Sequence, residues 1–149
     1  MDKLTIAMKV VLANTFVMYF RAHSYHWNVE GMYFSQLHDY FGGLYEELHD
    51  AIDPIAEQIR TLNSFAPISL NDLYSFKTCL EDVIKPNDAA EMLQNLSDSN
   101  QTVLDSLYTA FKLAEEANNQ GLVDYLGGRI DVHNKHGWML KAYLKKSGE

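Results

Sequence analysis

Apolar positions recur at intervals of three and four along four long stretches of this chain. In residues 3–26, Leu4, Met8, Val11, Leu12, Thr15, Tyr19 and Ala22 fall on one side, which predicts a first helix. Asn28 to Gly31 reads as a turn. A second helix is expected from Ser35, its candidate N-cap, to Asn63. Its stripe is Leu37, Phe41, Leu44, Leu48, Ile52, Ile55, Ile59 and Leu62, with spacings of 4, 3, 4, 4, 3, 4 and 3. Gly42-Gly43 and Pro54 interrupt this helix, and a mid-helix proline predicts a kink beside Asp53. Residues 64–87 are irregular, with room for a short helix within 70–80. A third helix begins near Asp88, where Asp88 and Glu91 have capping-box spacing. Its stripe is Leu93, Leu96, Val103, Leu107, Phe111 and Ala114, and Asn118 to Gly121 breaks it. The last helix runs from Leu122 to Lys145, with Leu126, Ile130, His133, Gly137, Leu140 and Leu144 on one side. Gly127-Gly128 within it suggests a close helix contact or a local weakness.

No stretch alternates like a strand. The expectation is an all-α, single-domain four-helix bundle over residues 1–149, with a short helix in the long middle connection. That connection lets the third helix run parallel to the second.

Composition adds exclusions. The chain has 149 residues, 47% apolar and 21% charged, which is ordinary for a globular domain. Twelve basic against 20 acidic residues leave a net charge of −8. This speaks against a general nucleic-acid binder and suits a protein that attracts cations. Cys79 is the only cysteine, so an intrachain disulfide and a thiolate zinc site are both excluded. A reducing, cytoplasmic setting is expected. Lys9 interrupts the N-terminal apolar run and no small-x-small cleavage site follows, so this run reads as a mature helix, with no membrane partner expected.

The candidate chemistry lies between His26 and Glu57. His26, His38, Asp53 and Glu57 are the imidazole and carboxylate ligands that suit non-heme iron. Asp53 and Glu57, four apart, share a helix face. His38 precedes Asp53 by 15 residues, about 60° around the axis and roughly 22 Å along it. One chain therefore cannot gather all four. Two antiparallel copies of the second helix about a twofold axis bring the histidine end of each to the carboxylate end of the other. The plainer alternatives are that His26 caps the first helix and that Asp53 and Glu57 form a solvated face.

His26-Trp27-Asn28, His38, Asp53 and Glu57 together form H-W-N-x(9)-H-x(14)-D-x(3)-E. This pattern resembles the Dps family, the mini-ferritins known as DNA-binding proteins from starved cells. His133 to Leu140 is similar to the family's last helix, so the resemblance covers almost the whole chain. It implies a ferritin-like four-helix subunit, a homo-oligomer in the form of a hollow dodecamer, and intersubunit ferroxidase centres. There Fe(II) would be oxidised, preferably by hydrogen peroxide rather than dioxygen, and stored as ferric mineral. By the same resemblance His26, Asp53 and Glu57 hold the first iron, His38 serves the second position, and Trp27 packs beside the centre.

The chain departs from that pattern in three places. Many members carry an acidic residue where this chain has Gly42, so the second iron position loses a ligand. Glu46 and His49, on the flank of Asp53, are possible replacements or simply solvated. Only Lys3 precedes the first helix, and Lys141, Lys145 and Lys146 cluster only weakly, so DNA binding at physiological salt is not expected. Asp124 matches an acidic pore position, whereas Asn119 does not. His133 and His136 have metal-ligand spacing but equally suit packing and hydrogen bonding. Two rivals remain: a di-iron centre inside each subunit, for which only Glu46 and His49 have the Glu-x-x-His spacing, and a structural or binding shell with a degenerate iron site.

Overall fold

The computed structural model describes residues 2–145. Lys146 of the C-terminal lysines lies outside them. Five helices are present: α1 (Lys3–Asn28), α2 (Phe34–Thr61), α3 (Leu70–Tyr74), α4 (Ala89–Glu116) and α5 (Gln120–Leu144). No strand occurs among the described residues. The four long helices and the short helix in the middle connection are as the periodicity predicts.

Local chemistry sets most helix ends. Asp2 caps α1 by accepting from the Thr5 amide, and Asp88 caps α4 by accepting from the Glu91 amide. The return arm of the expected capping box shifts by one residue, since Glu91 accepts from the amide of Asn87. Ser35 is not an N-cap. The helix already begins at Phe34, and the preceding Tyr33 makes no side-chain capping bond. Pro54 does not end α2, which continues to Thr61. Proline has no amide hydrogen, so the Asp50 carbonyl lacks its usual partner four residues on.

Packing follows from the stripes. Leu37, Phe41, Leu44, Leu48, Ile55 and Ile59 of α2 are buried, each stabilising the fold by about 1.5–3 kcal/mol of transfer free energy. α1 is covered on more than one side, packing on α2, α4 and α3. It is long and apolar enough to cross a membrane, but most of that stretch is buried in the fold, with Met8, Val11, Ala13, Met18 and Ala22 wholly enclosed. The short turn at 29–33 makes α1 and α2 antiparallel. Arg21 reaches Asn95 and Ser99 near the start of α4, while Ile6 and Val10 lie beside Thr109 and Leu113 near its end. α1 and α4 are therefore antiparallel, which leaves α2 and α4 parallel, the expected crossover.

The connection between them is pinned to α1. Asn14 accepts from the amides of Thr78 and Cys79 and donates to the Thr78 hydroxyl. Arg21 pairs with Asp82 at 2.6 Å, and the Tyr25 hydroxyl donates to the same carboxylate. Cys79 is buried there, and burial pushes its thiol above the usual range.

The glycines of α5 divide by what surrounds them. A Cβ added at Gly128 would meet nothing within 4 Å, and one at Gly127 would make only an ordinary contact with Phe111. The close helix contact falls at Gly137 instead, where a Cβ would lie 3.0 Å from Asn100 Nδ2. That nitrogen donates to the His133 carbonyl at 2.9 Å. Gly137→Ala is expected to lower stability by about 1–2 kcal/mol, because the strained or broken buried bond outweighs the gain in helix propensity. Gly128→Ala is expected to raise stability by up to about 1 kcal/mol. Urea denaturation of the two variants measures both.

Candidate metal centre

α1 ends and α2 begins on either side of the turn, and this places His26 and His38 face to face. The rings stack with centroids 3.8 Å apart and planes 18° apart. Nδ1 of His26 donates to the His38 carbonyl at 2.7 Å, and Nδ1 of His38 donates to the His26 carbonyl, also at 2.7 Å. Carbonyl oxygens only accept, so each Nδ1 carries the proton and each Nε2 keeps its lone pair. Backbone carbonyls that lock a tautomer in this way are the usual support of metal-binding histidines. The alternative role for His26, capping its own helix, is not what the geometry shows, since its bond goes to α2.

Gly42 belongs to the same corner. A Cβ at this position would lie 3.2 Å from Nδ1 and 3.3 Å from Cε1 of His26. The His26 ring packs against the space that a side chain here would occupy, and a longer residue would move that ring.

An aromatic wall that the sequence pattern did not reveal backs the pair. His23 stacks on Tyr45 at 3.8 Å and 4°, lies 4.1 Å from Trp27, and shares a 2.9 Å hydrogen bond with the Tyr19 hydroxyl. Burial, then the neighbouring His26 and His49, hold His23 below the usual histidine range. Trp27 itself is 57% exposed, which fits a surface that a second chain covers. Spacing alone offered a signal here, because His23, His26 and Trp27 lie three and four apart.

Asp53 and Glu57 are exposed on α2 and make no hydrogen bond or ion pair among the described residues. No three His, Cys, Asp or Glu side chains converge on a metal position within the described chain. The histidine pair and the carboxylate pair are thus separated along α2, as the helix geometry requires. Glu46 and His49 are exposed, with the His49 ring 5.0 Å from Tyr19. Asp124 is exposed in the first turns of α5, and Asn119 caps that helix by accepting from the Leu122 amide.

His133 and His136 lie elsewhere, between α2, α4 and α5, with His133 enclosed and His136 part-buried. Asn100 of α4 sits in the gap of its stripe between Leu96 and Val103. It accepts from His133 Nδ1 at 2.8 Å while donating to the His133 carbonyl. Arg129 donates to both oxygens of Glu47, at 2.5 and 3.3 Å, and to His133 Nε2 at 3.1 Å. His136 Nε2 donates to Glu47 Oε1 at 2.6 Å. Burial raises the Glu47 carboxyl, but the bonds from His136 and Arg129 outweigh it and hold the group at about 2. Burial, then the charges of Arg129 and His136, push His133 down to about 3, so it is neutral. Sequence reading passed over Arg129, Glu47 and Asn100. Arg129 was discoverable as the charged residue in register with His133 and Gly137 on the apolar side of α5.

Comparisons with known proteins agree with this architecture. A ferritin-like domain model matches residues 7–147. General stress protein 20U of Bacillus subtilis strain 168 is 34% identical over 144 residues, spanning 96% of this chain and 98% of that protein. The DNA protection during starvation protein of Brevibacillus brevis is 31% identical, spanning 90% and 89%. A Dps crystal structure from Vibrio cholerae O1, described as a member of a broad superfamily of ferritin-like diiron-carboxylate proteins, superposes with a TM-score of 0.91. It is 31% identical and covers 96% of this chain and 89% of its own. With a matching domain model over nearly all its length, and a bundle shared with relatives above 30% identity, this chain belongs to the Dps family of ferritin-like proteins.

Proposed function

We propose that this protein oxidises Fe(II) and stores the ferric product, at sites completed only when two chains meet. The observation that carries this reading is the His26–His38 pair, with both Nδ1 protons anchored on backbone carbonyls and both Nε2 lone pairs left for a metal. Among the described residues, none supplies a carboxylate to that pair. Asp53 and Glu57 of an antiparallel partner α2 would. The assembly is a homo-oligomer of the mini-ferritin kind, a hollow dodecamer in this reading, with the exposed Trp27, Met32, Tyr33 and Phe34 around the turn covered by a neighbouring chain.

Iron is the substrate. Borderline imidazole nitrogen and hard carboxylate oxygen bind Fe(II), and the carboxylate charge favours the Fe(III) product. With hydrogen peroxide as oxidant, two Fe(II), one peroxide and two protons give two Fe(III) and two waters. Each iron loses one electron and the O–O bond takes both. His26, Asp53 and Glu57 hold one iron. His38 serves the other, which has fewer protein ligands because Gly42 brings none. Asp124 is a candidate lining residue for iron entry. The net charge of −8 favours attraction of cations over nucleic acid, and DNA binding is not part of this function.

The test is spectroscopic. Protein is loaded anaerobically with Fe(II), peroxide is added, and ferric absorbance is followed. We expect oxidation well faster than in buffer, slowed at least tenfold by His26→Ala/His38→Ala. Oxidation no faster than in buffer would leave only a structural or binding shell.

A further inference from the structure

The cluster inside the bundle is not used by this function. Two potential ligand atoms lie against one end of the Arg129 side chain, and a third lies beside one of them. Nη2 lies 3.1 Å from His133 Nε2 and 3.3 Å from Glu47 Oε1, and His136 Nε2 lies 2.6 Å from that same oxygen. Two imidazoles and a carboxylate from facing helices are a transition-metal donor set, here between two helices of the bundle, with His133 enclosed and Glu47 and His136 part-buried.

We propose that Arg129 is a resident cation that closes an intra-bundle divalent-metal site formed by Glu47, His133 and His136, and so confines metal binding to the chain's outer face.

Three observations argue for this over an ordinary ion pair. First, the contacts of the guanidinium converge on its terminal nitrogens, whereas Nε is buried with no partner. A side chain selected for hydrogen-bond complementarity would satisfy that N–H as well. Second, His133 presents Nε2 as a lone pair. Asn100 Oδ1 accepts from Nδ1–H while Asn100 Nδ2 donates to the His133 carbonyl, so the tautomer is the metal-binding one. His133 has no exposure to solvent, and a buried imidazole held this way is otherwise an expensive means of accepting one bond from arginine. Third, the Glu47 oxygen and the His133 nitrogen need to close on the Nη2 position by only about 1 Å to reach metal–ligand distance. As they stand in the structure, the three groups do not converge on a metal position, so the site forms only on that closure.

The experiment uses the full, assembled protein with Asp53→Ala/Glu57→Ala as the parent, so that the interface carboxylates contribute nothing. This also separates failure of the proposal from failure of the ferroxidase reading. The probe is Co(II), whose visible bands report imidazole and carboxylate coordination. Arg129→Met keeps the apolar stem and removes the charge. We expect Arg129→Met to gain one Co(II) per chain, at least tenfold tighter than any weak binding by the parent. Adding His133→Ala or Glu47→Gln should abolish the gain. Arg129→Lys, which restores a cation, should bind like the parent. A folded Arg129→Met protein with no extra Co(II) would overturn the proposal, as would a gain insensitive to His133→Ala. If Arg129→Met is unfolded without metal, recovery of helical circular dichroism on adding Co(II) or Zn(II) supports the proposal, and no recovery with either overturns it.

Discussion

Mixing a His26→Ala/His38→Ala variant with an Asp53→Ala/Glu57→Ala variant is expected to restore Fe(II) oxidation that neither shows alone. At equal amounts with random pairing, half of the twofold pairs contain one chain of each kind. Each such pair has one site with all four ligands and one with none, so roughly a quarter of wild-type sites return. The recovered activity should appear only after the variants are dissociated and reassembled together. A site built within one chain predicts no recovery at any ratio. The expectation rests on two features. The histidines at the α1–α2 turn are held by each other's backbone, and the carboxylates lie far along the same continuous α2, where no fold of one chain brings them back.

Glu47→Ala is expected to destabilise the subunit by about 3 kcal/mol, since it leaves the Arg129 charge buried and unpaired. Glu47 is itself one-third exposed, which keeps the effect at the lower end of the usual range for such losses. The same cluster is expected to make the protein acid-labile. Glu47 is lowered from 4.5 to about 2, and His133 from 6.5 to about 3. In both cases the unfolded chain binds protons first as pH falls. The contribution of these two groups is therefore fully present above pH 6.5. It falls through the His133 window down to about 3, and Glu47 adds to the loss below 4.5. For a histidine with no exposure the loss amounts to a few kcal/mol. Urea midpoints measured from pH 7 to pH 4 should fall steeply in the wild type. In His133→Leu the drop between pH 6.5 and 4.5 should flatten, even though this variant starts from lower stability.

Much of the site was legible in the chain because it is periodic. His26 and His38 flank the short loop between α1 and α2, and Asp53 and Glu57 are four apart on one helix, so loop length suggests the first pair and 3.6 residues per turn the second. The same arithmetic shows that the pairs cannot meet in one chain. Less legible was anything that depends on what an opposite helix supplies. Gly42 reads as a lost ligand, and only the fold shows that it also makes room for the His26 ring. Gly127-Gly128 reads as a close contact or a local weakness, and the close approach is at Gly137, because Asn100 of α4 lies across from it.

The sequence by itself determined the helices, their buried faces, the crossover and the four candidate iron ligands, because these depend on hydrophobic period, loop length and residue chemistry along one chain. The tertiary structure alone decided the tautomers of His26 and His38, the aromatic wall around His23, and the Glu47–Arg129–His133–Asn100 cluster. Each joins residues from different helices, and the rotation of one helix against another is set by packing of the whole core rather than by any local signal.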